Sequence, residues 1–136
     1  MNKILHLTVF FLIMSITGTL AQKHGNASYY SHKLEGRHTS DGGKYHRDSL
    51  TCAHRTLPFG TQLKIRNPKN DKEVIVTVTD RGPHVRKFMV DLSYRAAKEL
   101  GIIRQGYAHV EIIELESTPS PLLTNNEDVT SLYNAR

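Results

Sequence analysis

A carboxylic acid at the end of an apolar strand can give or take a proton in a cleft, and Asp80 is placed that way. Val74, Val76 and Val78 alternate with Ile75, Thr77 and Thr79, then the chain enters Asp80-Arg81-Gly82-Pro83. Gly and Pro stop a strand ladder, so Asp80 is expected at a strand mouth, where a carboxyl can serve as acid or base. The structural alternative is an aspartate that caps the turn before Gly82-Pro83. A cation close to Asp80 would lower its pKa. Neighbouring strand residues point to opposite faces, so Arg81 is expected to turn away and brace the loop.

Cys52 and His54 are the other pair with chemical potential, as a thiol and the base that would activate it. Their i, i+2 spacing would need special backbone geometry, and Cys52 is read instead as a small buried core residue. It is the only cysteine, so no disulfide can form within the chain. Of eight histidines, His32, His38 and His46 share one loop without a ligand-like spacing. Neither a metal nor another cofactor is expected.

These residues need elements to hold them. Gly25 to Tyr30 reads as a short strand, and Ser31 to Ser49 as a long polar loop broken by Gly36 and Asp41-Gly42-Gly43. Loops of that length in a compact domain are usually functional. Leu57-Pro58-Phe59-Gly60 is expected to be a turn with two apolar anchors. Leu63 and Ile65, the turn Asn67 to Asp71, and Val74 to Val78 form a hairpin pattern. Phe88 to Leu92 makes another strand. Ser93 can cap a helix over Tyr94 to Leu100 that Gly101 stops, with Ala96, Ala97 and Leu100 inward. A last strand runs from Ala108 to Leu115, and the composition then turns to Ser, Thr, Pro, Asn and Asp. The expected organisation is a leader over 1–21, one mainly β domain over 22–116 and a disordered tail over 117–136. A mostly β domain with one short helix suggests a small closed or partly closed barrel.

The leader reading rests on Lys3, the apolar run Ile4 to Leu20 and the small residues ending at Ala21, which together resemble a cleavable secretory signal. Gln22, where a lipid-modified cysteine would stand, argues against a lipoprotein. The expected location is therefore the periplasm or cell envelope, with no stable membrane anchor. The 136-residue chain carries a net charge of +5, and Lys3 is the leader's only charge. A basic exported domain suits a polyanionic wall. Its basic residues are scattered and Trp is absent, which argues against nucleic acid as a partner.

Four ordered blocks carry a family resemblance. They are Gly25-Asn26-Ala27-Ser28-Tyr29-Tyr30; Thr51-Cys52-Ala53-His54-Arg55-Thr56-Leu57-Pro58-Phe59-Gly60-Thr61; Thr79-Asp80-Arg81-Gly82-Pro83; and Val90-Asp91-Leu92-Ser93 with Ala96-Ala97 and Leu100-Gly101. Together they resemble the rare lipoprotein A family of bacterial septal-ring lytic transglycosylases, which have a double-psi β-barrel. The resemblance implies a six-stranded barrel of that kind and peptidoglycan glycan strands as substrate. It implies cleavage between N-acetylmuramic acid and N-acetylglucosamine that leaves 1,6-anhydromuramic ends, and a preference for strands without stem peptides. Asp80 would be the catalytic acid, protonated near neutral pH at the start of the cycle, with His54 its polar companion in the cleft. The structural alternative for His54 is a buried histidine satisfied by backbone bonds at a strand end. Tyr30, Tyr45 and Arg81 are candidates for substrate binding, the tyrosines because aromatic faces pack on sugar rings. Asp91 is read as a helix-capping or core hydrogen-bonding residue.

The chain also departs from that family. Thr39-Ser40-Asp41-Gly42-Gly43 places glycine where the family carries a glutamate that contributes to activity. Lys87-Phe88 replaces a common Gly-Arg, and no counterpart of the family's C-terminal peptidoglycan-binding repeat domain is expected. Retention of Asp80 favours an enzyme. Gly43 favours a glycan-binding or wall-loosening module with an expansin-like barrel.

Overall fold

The alternation of valines in the hairpin pattern becomes a pair of antiparallel strands, β3 (Gln62–Asn67) and β4 (Lys72–Asp80). Leu63, Ile65, Val74, Val76 and Val78 all turn inward and are buried, as period-2 patterning requires. A computed structural model describes residues 20–115. The expected leader and tail lie outside the described residues, apart from Leu20 and Ala21. Four more strands complete the set: β1 (Gln22–Tyr29), β2 (Thr51–His54), β5 (Phe88–Leu92) and β6 (Ala108–Glu114).

The six strands form a closed barrel in the order β1-β5-β2-β4-β3-β6. Pairings β1–β5 and β2–β4 are parallel, and the other four are antiparallel. Closure leaves no strand edge unpaired. The core is aliphatic, with Ala27, Cys52, Val90, Leu92, Val110 and Ile112 joining the hairpin residues. Cys52 is a packing residue. Burial pushes its thiol pKa up to about 12, so it has no nucleophilic thiolate near neutral pH.

The helix α1 (Tyr94–Leu100) forms as its sequence signals require. The Ser93 side chain accepts from the Ala96 N–H, and Gly101 stops the helix at φ 75°, a left-handed conformation that glycine adopts freely. Ala96, Ala97 and Leu100 face the barrel and are fully buried. The Leu100 carbonyl, freed by the helix end, accepts from Asn67 Nδ2 at 3.3 Å and Asn70 Nδ2 at 3.1 Å. The β3–β4 turn is thereby tied to the helix.

Thr51–His54 is a strand whose mixed composition shows no alternation, and one expectation needs correcting. Phe59 is not a second anchor for its turn. It is 41% exposed, and the Arg81 guanidinium stacks over its ring at 3.9 Å, while Leu57 alone packs against the core.

Candidate active site

A register irregularity positions the candidate acid. Cys52 pairs with Val78, but its neighbour Ala53 pairs with Asp80, so β4 spends one extra residue, Thr79, against β2. That bulge resets the side-chain phase. Without it Asp80 would follow Val74, Val76 and Val78 into the core. With it, Asp80 lies beside Ala53, and Ala53 pairs on its other side with Asp91 of β5. Asp91 in turn pairs with Ser28 of β1. Asp80, Ala53, Asp91 and Ser28 thus form one row across four strands. Each neighbour is roughly 5 Å away across the ladder.

Asp80 accepts four hydrogen bonds. Its Oδ1 receives the Ser40 N–H at 2.9 Å, the Ser40 hydroxyl at 2.6 Å and the Arg81 N–H at 2.9 Å. Its Oδ2 receives the Tyr30 hydroxyl at 2.7 Å. Burial alone would raise the carboxyl pKa, but the donors from Ser40, Tyr30 and Arg81 outweigh it and hold Asp80 below its ordinary value. The expectation that Asp80 stays protonated near neutral pH is therefore overturned. Four donors select the anion.

The long loop delivers Ser40. A short 3₁₀ turn (His32–Leu34) starts it, and the Asp41 N–H donates to the bulge carbonyl of Thr79 at 3.1 Å. Asp41 itself is spent on the loop, accepting from the Thr39 hydroxyl at 2.6 Å and the Gly43 N–H at 3.0 Å. Gly42 has φ 94°, whereas Gly43 has no positive φ. A Cβ on Gly43 would meet only two side-chain oxygens, at 3.3 and 3.5 Å.

The row opens into a cleft of about 400 Å³, lined among others by Tyr30, Ser40, Asp80, His84 and Asp91, with Arg37 and His38 also on its wall. Tyr30, Tyr45 and Arg81 all reach this cleft, but none is a free binding platform. The Tyr30 hydroxyl is committed to Asp80, and burial followed by that hydrogen bond pushes its pKa up. Tyr45 is only 3% exposed, packs edge-on to Tyr30 at 4.7 Å, and accepts the Tyr94 N–H on its hydroxyl. Arg81 braces the loop as its strand phase implies, donating to the carbonyls of His54 at 3.1 Å and Leu57 at 2.7 Å.

His54 ends β2 and is not among the residues that line the cleft around Asp80. Its Nδ1 accepts from the N–H groups of Thr56 and Leu57 at 3.2 and 3.1 Å. Burial, with the nearby charges of Lys23, Arg55 and Arg81, lowers its pKa. The ring shapes the turn after β2 in its neutral form.

Asp91 is the site residue that sequence reasoning passed over. Ser93, not Asp91, caps the helix. Asp91 accepts from the Ser28 hydroxyl and lines the cleft. Burial, supported by the charge of Asp80, raises its pKa against the opposing effects of Ser28, His84 and Arg55. The signal lay in β5 itself, where Val90 and Leu92 face inward and leave Asp91 on the opposite face.

Comparison with known proteins identifies the family and the fold. A family model described as lytic transglycolase matches residues 22–112. The endolytic peptidoglycan transglycosylase RlpA of Neisseria meningitidis is 42% identical over 105 residues, 77% of this chain and 44% of that protein. The probable RlpA of Aquifex aeolicus is 52% identical over 82 residues, 60% of this chain and 36% of that protein. The chain thus spans less than half the length of these relatives. Among solved structures, the apo expansin of Clavibacter michiganensis superposes with a TM-score of 0.58 at 23% identity, over 74% of this chain and 54% of that one. A Streptomyces papain inhibitor does so with 0.58 at 19% identity, over 71% and 96%. Those two show the barrel fold alone, but the family match and the 42% identity carry further: the chain belongs to the rare lipoprotein A-like lytic transglycosylase family, with a double-psi β-barrel.

Proposed function

We propose that this chain cleaves peptidoglycan glycan strands as a lytic transglycosylase. The bond broken is the one between N-acetylmuramic acid and N-acetylglucosamine, and the new ends are 1,6-anhydromuramic. The observation that carries the reading is Asp80, an anionic carboxylate fixed by four donors at an open cleft, in a chain of this family. Such a carboxylate can take the proton of the sugar's 6-hydroxyl as that oxygen attacks the anomeric carbon. It also stabilises the positive charge that develops on the sugar ring. Attack by the 6-hydroxyl removes any need to activate water, which is why one carboxylate base is sufficient where hydrolases hold a water as well.

Arg37 and His38 on the cleft wall support a preference for strands stripped of stem peptides. Removing the peptide bares a lactyl carboxylate, and a guanidinium is its natural partner. The place of action in this reading is the periplasm or envelope. Among the described residues no helix is long and apolar enough to cross a membrane. Digestion of purified glycan strands with the protein, read by mass spectrometry, tests the proposal. Anhydromuramic ends are expected. Reducing ends would make the protein a hydrolase.

The absent loop glutamate favours a second reading, a module that binds glycan without cutting it. Gly43→Glu separates the two. The ordinary backbone at Gly43, with only the Asp41 and Thr39 side-chain oxygens to give way by a few tenths of an ångström, predicts a folded variant with a melting temperature close to wild type. Cleavage is expected to rise roughly tenfold, about 1.4 kcal/mol of barrier, while Gly43→Ala stays at the wild-type rate. If neither wild type nor Gly43→Glu releases fragments from denuded strands, the binding reading stands.

A further inference from the structure

A glycosidic oxygen leaves as an alcohol only if something protonates it. Asp80, with three donors on Oδ1 and one on Oδ2, is held in the form that has no proton to give. The cleft contains a second carboxyl in the same row, one strand beyond Ala53. We propose that Asp91 is the general acid of this site and Asp80 its general base. The inference rests on the cleavage reading above and divides the two proton transfers between two residues.

The surroundings of the carboxyls differ in the required sense. Asp80 has four donors, whereas Asp91 has the Ser28 hydroxyl alone. The charged and titratable groups around Asp91 come from every element that packs on it: Tyr30 after β1, Cys52 of β2, Arg55 after β2, Asp80 of β4 and His84 before β5. Cys52 and Tyr30 stay neutral, since burial raises both their pKa values. The Arg55 guanidinium is engaged elsewhere, on the carbonyls of Pro83 at 3.0 Å and Phe88 at 2.8 Å. Asp80 contributes a negative charge that works against ionising Asp91. Two carboxyls whose environments push them apart in this way mark an acid and a base.

The step balances without water. The Asp91 proton passes to the glycosidic oxygen as its bond to the anomeric carbon breaks. The 6-hydroxyl oxygen bonds to that carbon, and its proton passes to Asp80. Asp91 is then ionised and Asp80 protonated. One proton returned from Asp80 to Asp91, directly or through solvent, restores the starting state.

The test compares natural strands with an aryl muramyl glycoside whose phenolate leaving group needs no proton. Asp91→Asn is expected to cut natural strands about 10²–10⁴-fold more slowly and to cleave the aryl substrate within about tenfold of wild type. Asp80→Asn is expected to lose both. Ser28→Ala removes the one donor on Asp91, so the alkaline limb of its kcat profile is expected to move to higher pH. Wild-type cleavage of strands by Asp91→Asn overturns the assignment, as does equal loss on both substrates in a folded Asp91→Asn protein. If the aryl glycoside restores Asp80→Asn instead, the roles are reversed. If Asp91→Asn does not fold, the Ser28→Ala profile decides, and an unmoved limb rejects the proposal. A wild-type protein that cleaves neither substrate would overturn the transglycosylase reading itself, and the assignment with it.

Discussion

Asp80→Asn is expected to leave a folded protein that still holds glycan and no longer cuts it. The amide oxygen can keep the donors from Ser40 and Arg81 that Oδ1 now accepts. The amide nitrogen would face Tyr30, whose hydroxyl can rotate from donor to acceptor. What disappears is the place for a proton, and losses of about 10³-fold or more follow when such a group is removed. Fragment release by mass spectrometry and strand binding by co-sedimentation should therefore part company.

Stability against pH gives an independent readout. A carboxyl with a depressed folded pKa stabilises the fold above its unfolded pKa and loses that contribution as pH falls through the folded value. Asp80 is depressed, so the wild-type melting temperature should fall below the ordinary carboxylate range with a slope that Asp80→Asn reduces. Wild-type turnover by a folded Asp80→Asn protein would remove Asp80 from the mechanism.

Arg81→Ala is expected to damage fold and site together. The guanidinium bridges the His54 and Leu57 carbonyls and lies over the exposed Phe59 ring. Hydrogen bonds from a charged donor are worth about 1.5–3 kcal/mol each, so two of them predict a loss of about 3–5 kcal/mol of stability by chemical denaturation. The loop they brace also carries the Gly60 N–H to the Val78 carbonyl at 2.8 Å, next to the bulge that aims Asp80. Activity at a temperature where the variant is still folded should consequently drop as well. Arg81→Lys should recover little of either, because an ammonium cannot reproduce the planar fork over an aromatic face. A stable, active Arg81→Ala protein would show that the brace is dispensable.

Much of the barrel was legible where local chemistry and tertiary structure agree. Ser93, Ala96, Ala97, Leu100 and Gly101 specify a capped, amphipathic helix in themselves. The valines of β4 specify a half-buried strand. Asp80 was legible as a strand-end acid, but not its charge state, because three of its four donors come from Ser40 and Tyr30, distant in the chain. The bulge at Thr79 was equally hidden, since it exists only as a mismatch of register between β2 and β4. His54 carried two readings, a companion of Asp80 and a histidine satisfied by backbone bonds at a strand end. The second is matched by the N–H groups of Thr56 and Leu57 on its Nδ1, bonds that exist only once the turn has formed. Asp91 was read as a helix-capping or core hydrogen-bonding residue. Ser93 provides the cap, and the bond from Ser28 matches the second reading. Its place on the cleft wall depends on strands far apart in the chain.

The strand order has a consequence for how the molecule comes into being. Both neighbours of β1 are β5 and β6, drawn from the last stretch of the described chain. Until those segments have been synthesised, the first strand has nothing to pair with, and its backbone groups stay open to solvent or to other chains. Contacts this far apart in sequence make for slow, concerted folding rather than stepwise assembly. The cleft shares that fate. Ser28 and Tyr30 reach Asp91 and Asp80 only when the first strand docks beside β5. A complete but unclosed chain therefore carries every residue of the site and none of its geometry, so cutting power arrives in the same event as barrel closure.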